Sequence, residues 1–140
     1  MYILDTDHLS IQERDTIEAF NLGLRLAQVP SRDVVTSIIT YEEQMRGWLA
    51  YVARASSQDQ QVEAYKRLRL HVERYRRIPL VDYDGRAATE FDRLRAARVR
   101  VKAADLKIAA IALANDATLL TRNAADFERV PGLRFEDWTG

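Results

Sequence analysis

Apolar positions along the chain follow two alternating patterns, short continuous runs and longer stripes with helical spacing. The short runs are bounded by polar or turn residues, which is the pattern of buried strands, and they fall at residues 2–4, 34–37, 78–81, 118–121 and 133–135. Helical segments separate these runs. Strands that alternate with helices predict an α/β fold, a three-layer α/β/α sandwich around a central, mostly parallel sheet.

The helical segments carry start signals and one-sided apolar stripes. Asp15 and Glu18 are typical of a capping box at the start of a helix that runs to about residue 28, and further helices are predicted over about 40–52 and 59–75, after Asp84, and over 106–114. The last of these is apolar almost all round, so we expect it to be buried. In two other helices the apolar positions share one face: Ile17, Phe20, Leu24 and Ala27 in the first, and Val62, Tyr65, Leu68 and Val72 in the segment 59–75.

Composition narrows the possible functions. The chain has 140 residues with no internal repeat or linker-like tract, so we expect one domain, residues 1–140. The absence of cysteine excludes disulfides, thiol nucleophiles and cysteine-ligated metals, and two histidines, His8 and His71, exclude a multi-histidine site. No apolar run is long enough to span a membrane, and the early acids argue against a signal peptide, so we expect a cytoplasmic protein without membrane association.

Charge is balanced in total but segregated along the chain. The formal net charge is zero, yet residues 64–107 hold 13 basic and 6 acidic side chains, and 18 of the 21 basic residues are arginines. The arginine guanidinium binds phosphate and carboxylate groups in a bidentate manner. The middle of the chain is therefore a candidate surface for nucleic acid or an acidic peptide, although a solvated helix face explains any single arginine equally well.

Four acidic residues are predicted to meet at one edge of the sheet. Asp5 ends the first strand, Glu43 lies in the first turn of the helix after the second strand, Asp105 starts the buried helix, and Asp126 follows the fourth strand. In a parallel sheet, the carboxyl ends of the strands share one edge, and open α/β sheets place their sites there.

Each of these acids also has a local structural explanation. Asp105 could be a helix N-cap, Glu43 could close a capping box with Thr40, and Asp126 could bond to Asn123 in a loop. Together, however, like charges about 4 Å apart repel by about 4 kcal/mol at an effective dielectric constant of about 20, so several need a cation. Oxygen ligands alone favour Mg²⁺ or Mn²⁺, which suits phosphoryl chemistry, and the chain has no glycine-rich phosphate loop.

Several segments carry a family resemblance. They are the apolar strand followed by Asp5-Thr6-Asp7, the second strand and helix over 35–47, the helix segment 104–113, and the closing segment 118–133, with Glu136-Asp137-Trp138 at the end. At these residues the chain resembles the PIN-domain family and, within it, the VapC-type toxins of prokaryotic type II toxin–antitoxin systems. The resemblance extends over essentially the whole chain and implies a single PIN-like domain.

The resemblance also implies a set of site residues. The implied catalytic acids, which would bind Mg²⁺ or Mn²⁺, are Asp5, Glu43, Asp105 and, at a more variable position, Asp126. Residues implied to orient or supplement these ligands by hydrogen bonds are Thr6, Thr121 and Asn123. The chain departs from the family pattern at Asp7, where asparagine is usual, and at Gln44, where leucine is usual.

The implied activity is metal-dependent endoribonuclease action on structured RNA, restrained by a cognate antitoxin protein. A homodimer is the expected assembly. Arg98, Arg100 and Lys102 precede the Asp105 helix, so we expect them to border the RNA path. The basic residues of the segment 66–77 are expected to contact the antitoxin or a second copy of the chain.

Two other functions fit part of the sequence. A haloacid-dehalogenase-type phosphatase would use Asp5 and Asp7 after the first strand, but Leu9 and the closing segment do not fit that family. A degenerate PIN domain would bind RNA or protein without turnover. The presence of all four acids argues against that second alternative.

Overall fold

The computed structural model describes all 140 residues, and its centre is a five-stranded sheet. The strands are β1 (Tyr2–Leu4), β2 (Val34–Ser37), β3 (Leu80–Val81), β4 (Thr118–Leu120) and β5 (Arg134–Glu136), arranged in the order β3-β2-β1-β4-β5. Every neighbouring pair is parallel, so the predicted mostly parallel sheet is entirely parallel. β3 is shorter than predicted because Pro79 has no N–H to donate to the sheet.

Seven α-helices surround the sheet. They are α1 (Thr6–Ile11), α2 (Ile17–Leu26), α3 (Ile38–Arg54), α4 (Gln58–Tyr75), α5 (Gly85–Ala96), α6 (Ala103–Ala114) and α7 (Ala124–Phe127). The short α7 is absent from the sequence prediction because four residues are too few to display a helical period. None of the helices combines the length and apolar character needed to cross a membrane.

Two hydrophobic cores lie on opposite faces of the sheet and confirm the three-layer sandwich. Alternation along β1 sends Ile3 into one core, which includes residues of α3, α5, α6 and α7. The same alternation sends Leu4 into the other core, with residues of α1 and α2 and with Trp138. α6 is buried along most of its length, as its apolar sequence predicts.

Helix starts differ from the sequence prediction at three sites. α3 begins at Ile38 rather than near Thr40, because the Ser37 hydroxyl accepts the Thr40 N–H (3.1 Å). Glu43 therefore lies in the second turn of α3, where it cannot form a capping box with Thr40. α6 begins at Ala103 and has no side-chain cap, so Asp105 is its third residue and not an N-cap. In α2 the cap is the following residue, Thr16, rather than Asp15.

The apolar faces predicted for α2 and α4 lie mostly in solvent. Ile17, Phe20 and Leu24 of α2 are 66%, 62% and 51% exposed, and α2 instead buries Leu22. On α4, Val62, Tyr65 and Val72 are exposed and the buried residues are Ala64 and His71. Apolar periodicity identifies a stripe, but it does not say whether this chain's own core covers it.

Candidate functional site

The strand order places a crevice at the carboxyl end of β1. From β1 the chain winds outward through β2 and β3, then returns to add β4 on the other side of β1. A parallel sheet opens at such a reversal, because the connections on either side of it run to opposite faces. Asp5 follows β1 directly at this point, so its position is fixed by the topology of the sheet.

A cavity of about 380 Å³ occupies this crevice. Its lining residues are Asp5, Thr6, Asp7, Ser10, Ile11, Arg14, Glu43, Lys102, Asp105, Arg122 and Asn123. Three of the four predicted acids therefore meet at one cavity, although they come from β1, α3 and α6. Asp126 is not part of the lining. Its Oδ2 accepts a hydrogen bond from the side-chain amide of Asn123 (2.9 Å), and its negative charge helps to raise the pKa of Asp105.

Asp5 is the most deeply buried acid of the site. It is 7% exposed; its Oδ1 accepts the Thr6 N–H and its Oδ2 accepts the Thr121 hydroxyl, both at 2.8 Å. Burial raises the pKa of Asp5 to about 6, the Asp7 charge adds to the rise, and the two hydrogen bonds oppose it. Asp5 is thus oriented by protein donors and still carries an unfavourable charge above neutral pH.

The pKa values of Asp105 and Glu43 are also raised. Burial raises the pKa of Asp105, with further contributions from Asp126 and Asp7. Its Oδ2 is buried and accepts no hydrogen bond, and Lys102 Nζ lies 3.9 Å from that oxygen. Burial also raises the pKa of Glu43, and Asp105 adds to the effect.

The smaller polar residues named from sequence connect the acids. The Thr6 hydroxyl lies 3.4 Å from Glu43 Oε2 and donates to it. Thr121 Oγ1, which donates to Asp5, also accepts the Asn123 N–H (3.0 Å). Thr6, Thr121 and Asn123 therefore form hydrogen bonds with the acids or with each other at this edge of the sheet.

The residues present fit a divalent cation. No three acidic or histidine side chains of the chain are gathered into a preformed ligand set. Burial and neighbouring carboxylates raise the pKa values of Asp5, Glu43 and Asp105, and Asp105 Oδ2 accepts no hydrogen bond, so the protein's own cations only partly offset the charge of this cluster. Since all the donors are oxygens, Mg²⁺ or Mn²⁺ suits them better than a softer metal.

Three cations line the same cavity, and sequence reasoning found only one of them. Lys102 lines it as expected, whereas Arg98 and Arg100 lie on the exposed turn between α5 and α6, outside the lining. Arg14 and Arg122 were missed. Arg122 could have been found from its position directly after the fourth predicted strand, but Arg14 follows a helix end that carries no comparable signal.

A second, larger groove of about 1,050 Å³ lies beside the site. Its lining residues are Ser10, Gln12, Glu13, Gln44, Gly47, Trp48, Tyr51, Arg54, Arg67, Leu70, His71, Glu73, Arg74, Arg77 and Ile78. None of the four clustered acids is among them. Ser10 borders both cavities, so the groove extends to the edge of the acidic site.

Comparison with known proteins places the chain in a family. The sequence pattern of the PIN domain matches residues 1–133. The chain belongs to the PIN domain family. Over 67 residues, this PIN domain is 42% identical to the "tRNA(fMet)-specific endonuclease VapC" of Shigella flexneri. The aligned residues cover 45% of this chain and 51% of that protein. The matched region thus spans about half the length of the curated relative.

Solved structures resemble this PIN domain over nearly its full length. VapBC-1 from nontypeable Haemophilus influenzae superposes with a TM-score of 0.72 at 24% identity, covering 99% of this chain and 98% of that chain. DNA-bound VapBC from Salmonella typhimurium superposes with a TM-score of 0.70 at 25% identity, covering 98% and 97%. The first likeness confirms the PIN-like fold, and the second structure is that of a complex bound to DNA.

Proposed function

We propose that this PIN domain is a Mg²⁺- or Mn²⁺-dependent endoribonuclease and the toxin of a toxin–antitoxin pair. One observation carries the proposal: Asp5, Glu43 and Asp105 line a single crevice that also holds arginine and lysine side chains. A carboxylate cluster with flanking cations binds a metal ion and a polyanion together. Neither a phosphorylated aspartate nor a nucleotide-binding loop is needed for that chemistry.

The ligands of the ion would be Asp5, Glu43 and Asp105, with Asp126 or Asn123 as the fourth. When bound, the ion would supply Lewis-acid chemistry, namely polarisation of a phosphate oxygen and a lower pKa for a water nucleophile. Thr121 and the Thr6 N–H hold both oxygens of Asp5 in place, which fixes the ligand before the ion arrives.

The cations of the cavity have a separate role in binding the substrate. Lys102, Arg14 and Arg122 would contact the phosphates on either side of the bond to be cleaved, because they line the same cavity as the acids. Arg98 and Arg100 would extend this surface along the RNA. Phosphate contacts of this kind position an RNA strand without selecting its sequence.

The groove beside the site would hold the antitoxin. It offers Trp48, Tyr51 and Leu70 as apolar surfaces, and Arg54 and Arg77, which form no ion pair within the chain, as partners for acidic side chains. Because Ser10 borders both cavities, a segment seated in the groove would reach the mouth of the acidic site and restrain cleavage. A homodimer remains part of the proposal, and light scattering of the purified toxin measures it.

The experiment is a substrate survey with purified, antitoxin-free protein. Total cellular RNA, a tRNA fraction and double-stranded DNA of matched length are incubated with Mn²⁺ or with EDTA. We expect discrete fragments from RNA only, and from the tRNA fraction first, because the Shigella relative is named for a tRNA. Intact RNA together with tight Mn²⁺ binding would instead support a degenerate domain that binds RNA or protein.

A further inference from the structure

His8 is a fully buried histidine with a partner for each ring nitrogen. Its Nδ1 lies 2.8 Å from Asp7 Oδ1, and its Nε2 accepts the backbone N–H of Trp138 at 3.1 Å. A backbone N–H can only donate, and Asp137 Oδ1, 3.6 Å from Nε2, lies beyond hydrogen-bond distance, so this geometry places no proton on Nε2. The neutral ring must then carry its proton on Nδ1 and donate it to Asp7.

Asp7 is in turn held at both oxygens. Oδ1 accepts from His8, and Oδ2 accepts the backbone N–H of Arg122 at 3.1 Å. Asp7 lines the acidic cavity, and its negative charge helps to raise the pKa of both Asp5 and Asp105. Its hydrogen bonds therefore connect α1 with the segment after β4 across the mouth of the site.

The residues beyond β5 are fastened to the same network. Trp138 is 3% exposed, its ring centroid lies 4.8 Å from that of Tyr2, and the Arg25 guanidinium stands 5.1 Å from its centroid. Asn21 of α2 donates to the Thr139 carbonyl at 3.1 Å. The closing segment is thus anchored to β1 and α2, and His8 joins it to the acidic site.

We propose that His8 is a positioning residue, which fixes the Asp7 carboxylate and makes residues 137–139 part of the scaffold of the acidic site. Asp7 and His8 belong together in this arrangement. An asparagine at position 7 would present its NH₂ group to either His8 Nδ1–H or the Arg122 N–H, and two donors would face each other. A change of His8 tautomer would only move that conflict to the Trp138 N–H.

The first test is a spectroscopic one that is independent of activity. Long-range ¹H–¹⁵N spectra of the intact protein at pH 7.5 distinguish the two neutral tautomers of histidine. We expect His8 to be protonated on Nδ1, with His8→Asn identifying its signals. A ring protonated on Nε2, or on both nitrogens, would overturn the proposed hydrogen bonds whatever the protein's activity.

The second test separates the two bonds of His8 with a pair of variants. His8→Asn keeps a donor near the Nδ1 position, and His8→Gln can place an acceptor near the Nε2 position. Both variants create a similar cavity, so we expect similar losses of Tm. His8→Asn should keep a near-normal kcat, whereas His8→Gln should lose roughly 10- to 100-fold in kcat or in Mn²⁺ affinity, as found when the support of a metal site is removed.

Of the two measurements on these variants, only kcat rests on the proposed function, because it requires RNA cleavage. If the wild type cleaves no RNA, the proposed function fails, and the Mn²⁺ affinity and the tautomer still test the role of His8. Equal kcat and equal Mn²⁺ affinity in both variants would show that His8 serves folding alone. If neither variant folds, the tautomer in the wild-type spectrum decides.

Discussion

Replacing Asp5 by asparagine should stabilise the metal-free protein at neutral pH while abolishing its activity. The pKa of Asp5 in the folded protein is about 6, against an ordinary value of 3.8. A rise of this size costs about 3 kcal/mol of folding free energy above both values. Asparagine has no charge to bury, so the variant should recover at most that amount.

The local geometry accommodates the substitution. The asparagine oxygen can accept the Thr6 N–H as Asp5 Oδ1 does. Its NH₂ group can donate to Thr121 Oγ1, whose hydroxyl proton is free to turn away. The buried Thr121 hydroxyl then loses the carboxylate oxygen to which it donates, so the loss of that hydrogen bond should offset part of the electrostatic gain.

The sign of the pH dependence is fixed by the direction of the shift. Between the unfolded and folded pKa values, the folded protein holds a proton on Asp5 that the unfolded chain has released. Wild-type stability from this group is therefore present at low pH and is lost as the pH rises through about 6. The advantage of Asp5→Asn should be largest above pH 7 and fall to about 1 kcal/mol at pH 4.5.

Urea unfolding in EDTA at several pH values measures this difference. Asp92→Asn is the matched control, because Asp92 is exposed on α5 and does not line the acidic cavity. It should leave stability within about 0.5 kcal/mol of the wild type at every pH. An Asp5→Asn variant that is less stable than the wild type at pH 7.5, or whose advantage does not shrink in acid, would refute the electrostatic reasoning.

Three further predictions concern the site and the turn that precedes α6. Mn²⁺ should raise the Tm of the wild type in a concentration-dependent way and leave that of Asp105→Asn nearly unchanged, as differential scanning calorimetry can measure. Arg14→Gln and Arg122→Gln should each weaken RNA binding and reduce the slope of log K against log salt by about 1. Arg32→Gln, at an exposed residue outside the cavity, is the control and should leave the slope unchanged. Equal slopes in all three variants would exclude these phosphate contacts. Arg98→Gly should stabilise the fold by about 1 kcal/mol, because Arg98 has a φ of +58° after α5, and a loss of Tm would contradict that cost.

Much of the site could be predicted from sequence because strand ends are local signals. Asp5 directly follows an apolar run, and the parallel sheet brings the ends of β1, β2 and β4 to one edge whatever the details of packing. Glu43 and Asp105 reach the same cavity even though the first turn of each helix was misplaced. The acids meet because of the sheet edge that they occupy, and the exact residue at which each helix begins does not change this.

The remaining features depend on contacts between distant segments. His8 is bonded to Trp138 across 130 positions, and no local pattern announces that pairing. Arg14 reaches the acidic cavity through the turn after α1, which carries no strand-end signal. Periodicity likewise places Phe20 on one face of α2, but it does not say whether the chain's own core or another surface covers that face.

We propose above all that a divalent cation held by the clustered carboxylates drives RNA cleavage. The most direct test is the initial rate of RNA cleavage by purified protein as Mn²⁺ is titrated into EDTA-treated enzyme, beside Asp5→Asn and the Asp92→Asn control. We predict a saturable dependence on Mn²⁺ for the wild type and the control, and no cleavage by Asp5→Asn at any concentration. Cleavage that persists in EDTA, or that survives the loss of the Asp5 carboxylate, would contradict the claim.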